Sequence, residues 1–279
     1  MSWSGEAMSP ATERIAWSVT EQGSGAPLLL LHGFTGAAAS WDWDLRTFAA
    51  RYRVLAPDLP GHGRTPRAAN LSAMSVEATA DALAAYLADE GALPARVLGY
   101  SMGARIALRL AAAHPAAVDR LILESPSAGI ADLAQRASRR EADEALAARI
   151  ERDGIASFVT SWEQSPVFLT HATLAPELLA RQRAIRLASD PLGLAASLRA
   201  AGQGAMEPLH DRLAAVRAPT LVIGGTLDAV GRPRAELVAA GIRGARLELL
   251  DGIGHTPHLE APVAFRRLVI DFLSEVPAA

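Results

Sequence analysis

Short aliphatic runs that end in glycine alternate, from about Pro27 to His114, with longer alanine-rich stretches whose apolar residues recur at helical spacing. That alternation predicts a parallel α/β architecture. The runs Leu28 to Leu31, Val54 to Ala56, Val97 to Gly99 and Leu121 to Leu123 are apolar without a polar alternation, which fits strands covered on both faces, and the pattern resumes with Leu221 to Gly224 and Leu247 to Leu250. Ser75 to Glu90 reads as a helix with Ser75 as N-cap and Gly91 as C-cap, and Met102 to His114 as a second one stopped by Pro115. Ile15 to Val19, followed by Gly23 and Gly25, predicts an antiparallel edge hairpin. From about Ala131 to Ala205 the strand signal disappears into alanine-, arginine- and leucine-rich helical sequence, read as an inserted cap. The core is therefore expected over residues 1–130 and 206–279, and the helical cap over 131–205.

Gly99-Tyr100-Ser101-Met102-Gly103 lies where the apolar run Ala95 to Leu98 ends and the helical stretch Ala104 to Ala113 begins. In that strand-turn-helix context G-x-S-x-G is a nucleophile elbow, whereas the pentapeptide by itself could be an ordinary tight turn. Side chains two residues either side of the serine would collide at so sharp a bend, hence glycine at both places. A serine hydroxyl is a weak nucleophile at neutral pH, so it needs an imidazole within reach and a carboxylate to fix the imidazole's tautomer. Asp228, just past Thr220 to Gly224, and His255, just past Leu247 to Leu250, stand where such partners should follow later strands. Glu124, at the end of Leu121 to Leu123, is the rival acid. Of the seven histidines, His114, His210 and His171 read as surface residues, and His258 is expected to face away.

The amide N–H groups of Phe34 and Met102 are placed to form an oxyanion hole, since His32-Gly33-Phe34 follows the Leu28 to Leu31 strand. His32 reads as a support for that loop, and Asp58-Leu59-Pro60-Gly61-His62-Gly63 as a rigid turn in the pocket wall. Composition removes other chemistries. All 27 basic residues are arginine, so Schiff-base, P-loop and kinase lysines are out, and the absence of cysteine excludes disulfides, thiol catalysis and Cys-ligated metal. A net charge of -3 with interspersed signs gives no footprint for nucleic acid. The opening MSWSGEAMSPATER lacks a basic start followed by an apolar run, and Leu28 to Leu31 is too short to span a bilayer. A soluble, cytoplasmic protein without membrane insertion, monomeric or weakly self-associating, is expected.

Together LLLLHGFTG, PDLPGHGRTP, GYSMGARIAL, GTLDA and GIGHTPHLEAP resemble the α/β-hydrolase superfamily over nearly the full length, and Ser, Asp, His is that superfamily's chain order. The resemblance implies a mostly parallel central sheet flanked by helices, with an inserted helical cap. Serine at the nucleophile position argues against the dehalogenase and epoxide hydrolase branches, which carry aspartate there. GYSMGAR, LILESPSAGI, LAQRASRR, WEQSPVF and RLASDPLGLAASLRAAGQG resemble more specifically the menaquinone-pathway 2-succinyl-6-hydroxy-2,4-cyclohexadiene-1-carboxylate synthases. Those are lyases whose triad removes a substrate proton to drive loss of pyruvate, and whose arginines hold substrate carboxylates. The matching positions are Arg105, Arg136 and Arg186, with Tyr100 and Trp162. This sequence departs from the family pattern at Ala104, where a second glycine is usual after the elbow, and at Ala131, where glutamine is frequent.

Spacing supports Arg105 independently, because it lies four residues past Ser101 and so one turn along the elbow helix. A cation there favours an anionic, carboxylate-bearing small molecule. Arg136 and Arg186 read from spacing alone as solvated cap residues, and only the resemblance turns them toward a pocket. No cofactor or metal is implied. The first functional reading is a pyruvate-eliminating carbon–oxygen lyase; a serine hydrolase of an ester, thioester or carbon–carbon bond would use the same constellation, and a non-catalytic binding protein would leave an intact triad without a purpose.

Overall fold

The leucines from 28 to 31 are wholly buried, yet they face opposite ways: Leu29 and Leu31 join one core cluster, Leu28 and Leu30 another. A strand that buries both faces belongs inside a sheet with a layer on either side. The computed structural model, which describes residues 15–275, has that arrangement. Strands β1 (Val19–Gln22), β2 (Pro27–Leu31), β3 (Arg53–Pro57), β4 (Ala95–Tyr100), β5 (Val118–Glu124), β6 (Thr220–Gly225) and β7 (Arg246–Leu250) form one sheet in the order β1-β3-β2-β4-β5-β6-β7. All pairings are parallel except β1 with β3.

Helices α1 (Asp42–Ala49), α2 (Val76–Asp89) and α3 (Met102–Ala113) connect the first strands. The Ser75 side chain caps α2 by accepting from the Ala78 N–H, as predicted, and Gly91 follows the helix end with φ of 60°. The edge hairpin is corrected: the antiparallel edge strand begins at Val19, later than Ile15 to Val19, and pairs with β3, so it is no hairpin. Its polar residues are tolerable because an edge strand buries little. Residues 1–14 and 276–279, on which the reading of the chain's start and the outer ends of the core range rest, lie outside the described residues. No helix among the described residues is long and apolar enough to cross a membrane.

Between β5 and β6 lie α4 (Leu133–Trp162), a 3₁₀ segment over Pro166–Thr173, α5 (Pro176–Leu187) and α6 (Pro191–Ala201). α4 breaks at Gly154, whose φ of 76° and ψ of 171° are non-helical. Asp132 caps α4 through the Gln135 N–H, and Asp190 caps α6 through the N–H groups of Leu192 and Gly193. Ile150, Phe158, Val159, Leu194 and Leu198 close a small core of the insertion's own. After β6 come α7 (Gly231–Gly241), the single turn α8 (Pro257–Glu260) and α9 (Pro262–Ser274). Because β2 through β7 run parallel, the loops leaving β2, β4, β5, β6 and β7 share one rim of the sheet, and the insertion leaves from that rim too.

Candidate active site

Ser101 is the N-cap of α3, at φ 50° and ψ −103°, a left-handed conformation that a serine adopts only when its surroundings hold it there. Backbone crowding enforces the turn. A Cβ on Gly103 would run into the carbonyl oxygens of Leu31 and His32, and one on Gly99 into the carbonyl of Gly103. The bend lifts the Ser101 hydroxyl to 3.0 Å from His255 Nε2, while His255 Nδ1 lies 2.5 Å from Asp228 Oδ2. Asp228 Oδ1 accepts from the Gly231 N–H at 2.8 Å, so the start of α7 clamps the carboxylate. Burial alone would raise the pKa of Asp228, but the His255 hydrogen bond and charge, with the α7 amides, outweigh it and hold the carboxyl below its usual range.

The rival acid has another partner. Glu124, fully buried at the end of β5, accepts from both the backbone N–H and Nδ1 of His258, at 2.8 and 2.7 Å. Burial disfavours charge on His258, yet Glu124 and the more distant Asp44 and Glu260 overcome this and raise its pKa. His258 faces away from Ser101, as predicted.

A cavity of about 500 Å³ opens over Ser101 and His255, walled by the sheet rim on one side and the insertion on the other. Phe34 and Met102 both line it. Met102 is the first residue of α3, so its N–H has no carbonyl a turn earlier in that helix to bond. The loop bearing Phe34 is fixed by His32, whose Nδ1–H donates to the Gly33 carbonyl at 2.8 Å while Nε2 accepts from the Leu59 N–H at 2.9 Å. This pattern requires a neutral ring, and burial lowers its pKa to about 4. Asp58 accepts from the N–H groups of Ala38 and Arg64 at 2.7 and 2.9 Å, binding the next loop as the rigid turn predicted for it.

Arg105 lines the same cavity, nearly fully buried, and donates to the Ala201 carbonyl at 2.6 Å. No carboxylate lies within 4.0 Å of it among the described residues. Burial, with Arg139 the next contributor, pushes its pKa down to about 10, so it stays charged at neutral pH. Trp162 lines the cavity, meeting the Phe34 ring edge-on at 5.5 Å and stacked on Phe158 at 5.6 Å. Tyr100 lies partly buried in the wall, its ring 5.6 Å from that of His255. Burial, followed by the charge of Glu124, raises its pKa and keeps the phenol protonated.

The α/β hydrolase fold family matches residues 26–262. The chain belongs to that family. Within it, the chain is 32% identical to the 2-succinyl-6-hydroxy-2,4-cyclohexadiene-1-carboxylate synthase of Klebsiella pneumoniae (strain 342), over 92% of this chain and 96% of that protein. It is also 32% identical, over 95% and 97%, to a Bacillus subtilis (strain 168) protein named provisionally for the same activity. Among solved structures, MenH from S. aureus matches with a TM-score of 0.87 at 31% identity, covering 92% of this chain and 97% of that one. A thermophilic esterase from Thermogutta terrifontis, solved with malate bound, matches with a TM-score of 0.83 at 26% identity over 93% of each chain.

On this α/β-hydrolase framework the remaining sequence-predicted positions separate. Arg136 is half-buried near the start of α4 and does not line the cavity; Arg139, three residues on, does, paired with Asp143 at 2.8 Å. Arg186 is buried but lines a neighbouring space of about 30 Å³ shared with Phe34 and Tyr100, where it bonds Glu163 at 3.0 Å and lies over Phe168. His171 is corrected from surface to buried: its Nε2 meets Thr256 Oγ1 at 2.6 Å and ties the insertion to the residue after His255. His210 is half-buried rather than exposed, while His114 pairs at the surface with Asp81. Sequence reasoning missed Arg139 and Arg234, a cavity residue on α7.

Proposed function

We propose that this chain is a 2-succinyl-6-hydroxy-2,4-cyclohexadiene-1-carboxylate synthase of menaquinone biosynthesis, a lyase that eliminates pyruvate with a Ser101–His255–Asp228 triad. The observation that carries the reading is Arg105, a buried guanidinium without a carboxylate partner among the described residues, in the wall of the cavity that the triad faces. Together with Arg139 it suits a substrate that brings its own carboxylates. Relatives at 31–32% identity that bear the synthase name support the same assignment.

In this reading Asp228 fixes the His255 tautomer with Nδ1 protonated, leaving Nε2 to take the Ser101 proton. The Ser101 alkoxide then removes a proton from a ring carbon of the precursor. The electron pair of that C–H bond forms the second ring double bond, the ring C–O bond to the enolpyruvyl group breaks, and the departing enolpyruvate gains a proton to become pyruvate. Negative charge that develops on a carbonyl conjugated with the ring is met by the N–H groups of Phe34 and Met102. Arg105 and Arg139 hold carboxylates, Trp162 and Tyr100 shape the apolar wall, and Arg186 reinforces it from behind Tyr100. The helical segment 131–205 acts as the cap, and the protein works in the cytoplasm on a diffusible anion.

Incubation with the cyclohexene precursor should release pyruvate, read by coupled lactate dehydrogenase. A rate no greater than the spontaneous one would overturn the assignment. The hydrolase reading is favoured by one observation, the likeness to an esterase at a TM-score of 0.83. A covalent acyl group on Ser101, trapped from an ester and seen by mass spectrometry, with ester turnover far above elimination, would decide for it.

A further inference from the structure

Three arginines from three separate elements face one cavity: Arg105 on α3, Arg139 on α4 and Arg234 on α7. Only Arg139 has an acidic partner among the described residues, Asp143. Asp228, the acid in the wall, is engaged by His255 and Gly231. Arg105 and Arg234 are both close enough to Arg139 to be affected by its charge, and burial acts on each of them as well. Two guanidinium groups without an acidic partner, one of them nearly fully buried and the other half-buried, next to a third like charge are unfavourable until an anion arrives. Nothing about α7 alone requires this. Arg232, two residues earlier, points to solvent and pairs with Glu236 at 2.9 Å.

One planar guanidinium satisfies one carboxylate by a forked pair of hydrogen bonds, and Arg105, whose Nη1 donates to the Ala201 carbonyl, keeps Nε and Nη2 for such a fork, so two guanidinium groups without an acidic partner call for two carboxylates. We propose that Arg234 binds a second substrate carboxylate, completing with Arg105 and Arg139 a receptor that selects di- and tricarboxylates over monocarboxylates. The proposal rests on the reading of this cavity as the substrate site. A product with a succinyl and a ring carboxylate, formed by losing pyruvate, implies a precursor with three carboxylates, which is the class of ligand such a receptor fits. The start of α7 is also clamped by Asp228, so Arg234 is held in register with the triad.

The test compares Arg234→Met and Arg234→Lys with Arg232→Met, which removes a charge of the same sign from the same helix outside the cavity. Arg234→Met should raise KM for the precursor by about 10- to 30-fold with kcat changed by less than about threefold, as for contacts equal in ground and transition states. Arg234→Lys should recover part of the loss, and Arg232→Met should match the wild type. Calorimetry with succinate and with butyrate, which has the same chain length and one carboxylate fewer, supplies a readout independent of turnover. Arg234→Met should weaken succinate and leave butyrate alone, without lowering the thermal midpoint. An unchanged KM, an equal loss in Arg232→Met, or no preference of the wild type for succinate would overturn the proposal. If the wild type releases no pyruvate but prefers succinate through Arg234, the lyase reading falls and the receptor stands; normal pyruvate release with an unchanged KM in Arg234→Met sinks the receptor alone.

Discussion

Lowering the pH from about 7.5 to about 5 brings the solvent below the ordinary histidine pKa of about 6.5, and His62 is the side chain least able to follow. Its Nδ1–H donates to the Pro60 carbonyl at 3.1 Å, its Nε2 is buried without a partner, and its ring lies 5.2 Å from that of His32 and 5.8 Å from that of Phe34. Burial first, and the neighbouring His32 second, lower its pKa to about 3. A depressed pKa means that the folded chain binds fewer protons than the unfolded one. The stability contribution is therefore present above about pH 6.5 and is lost as pH falls toward about 3. At pH 5 the unfolded chain has taken the proton across about 1.5 pH units that the folded one has not, a loss of about 2 kcal/mol. Because the ring is completely buried, solvent screening does not reduce this figure. Urea unfolding of the wild type and of His62→Asn at the two pH values isolates the effect: the wild type should lose about 2 kcal/mol more than the variant between them. His258, with its raised pKa, acts in the opposite sense, contributing stability below about pH 6.5 that is lost as pH rises through its folded pKa, but it is common to both proteins and cancels. Parallel pH dependences in the two proteins would refute the argument.

Ser101→Ala and His255→Ala should each reduce pyruvate release by several orders of magnitude with thermal midpoints near that of the wild type, and Asp228→Asn should cost on the order of ten thousandfold in kcat; full activity in any of them would remove the triad from the mechanism. Gly103→Ala drives a Cβ into the Leu31 and His32 carbonyls, so the loss should reach about 3 kcal/mol or more by chemical denaturation, and a midpoint equal to the wild type would contradict the packing account. Arg139→Met should raise KM by about tenfold while Arg136→Met leaves it unchanged, and the reverse order would show that the α4 register has been misassigned.

The triad was legible because each member follows a strand of the same parallel sheet, and a parallel sheet delivers all its strand ends to one rim. Ser101 was marked by the glycines that crowding demands, and Asp228 and His255 by their distance past apolar runs. The arginines had no such anchor. The large apolar residues of α4 that reach the insertion's core begin only at Leu146, so around the arginines no apolar stripe sets the helix phase, and nothing in the local sequence separates Arg136 from Arg139 three residues later. Arg234 was invisible for another reason: α7 is a flanking helix of the core, and it meets the insertion only in three dimensions. The edge strand was displaced because Val19–Gln22 owes its position to pairing with β3, a contact that its own half-polar sequence does not announce.

Two histidine–carboxylate pairs stand three residues apart at this rim, and their hydrogen-bond lengths alone would not reveal which one is built for proton transfer: 2.5 Å for His255 with Asp228, 2.7 Å for His258 with Glu124. Their surroundings separate them. His255 turns Nε2 toward a hydroxyl beside open space, and a base must be free to gain and lose a proton. His258 is enclosed by Trp41, Tyr100 and Phe265 at 5.0, 4.8 and 6.0 Å, with a buried carboxylate that favours its charged form. An imidazole fixed in that way shuttles nothing, but it gives Glu124 a hydrogen-bonded partner inside the sheet. The Glu124 carbonyl in turn accepts from the Ser101 N–H at 2.9 Å. The second pair thus supports the backbone that carries Ser101 of the proposed triad, and Tyr100, whose ring touches both imidazoles, is the wall between them.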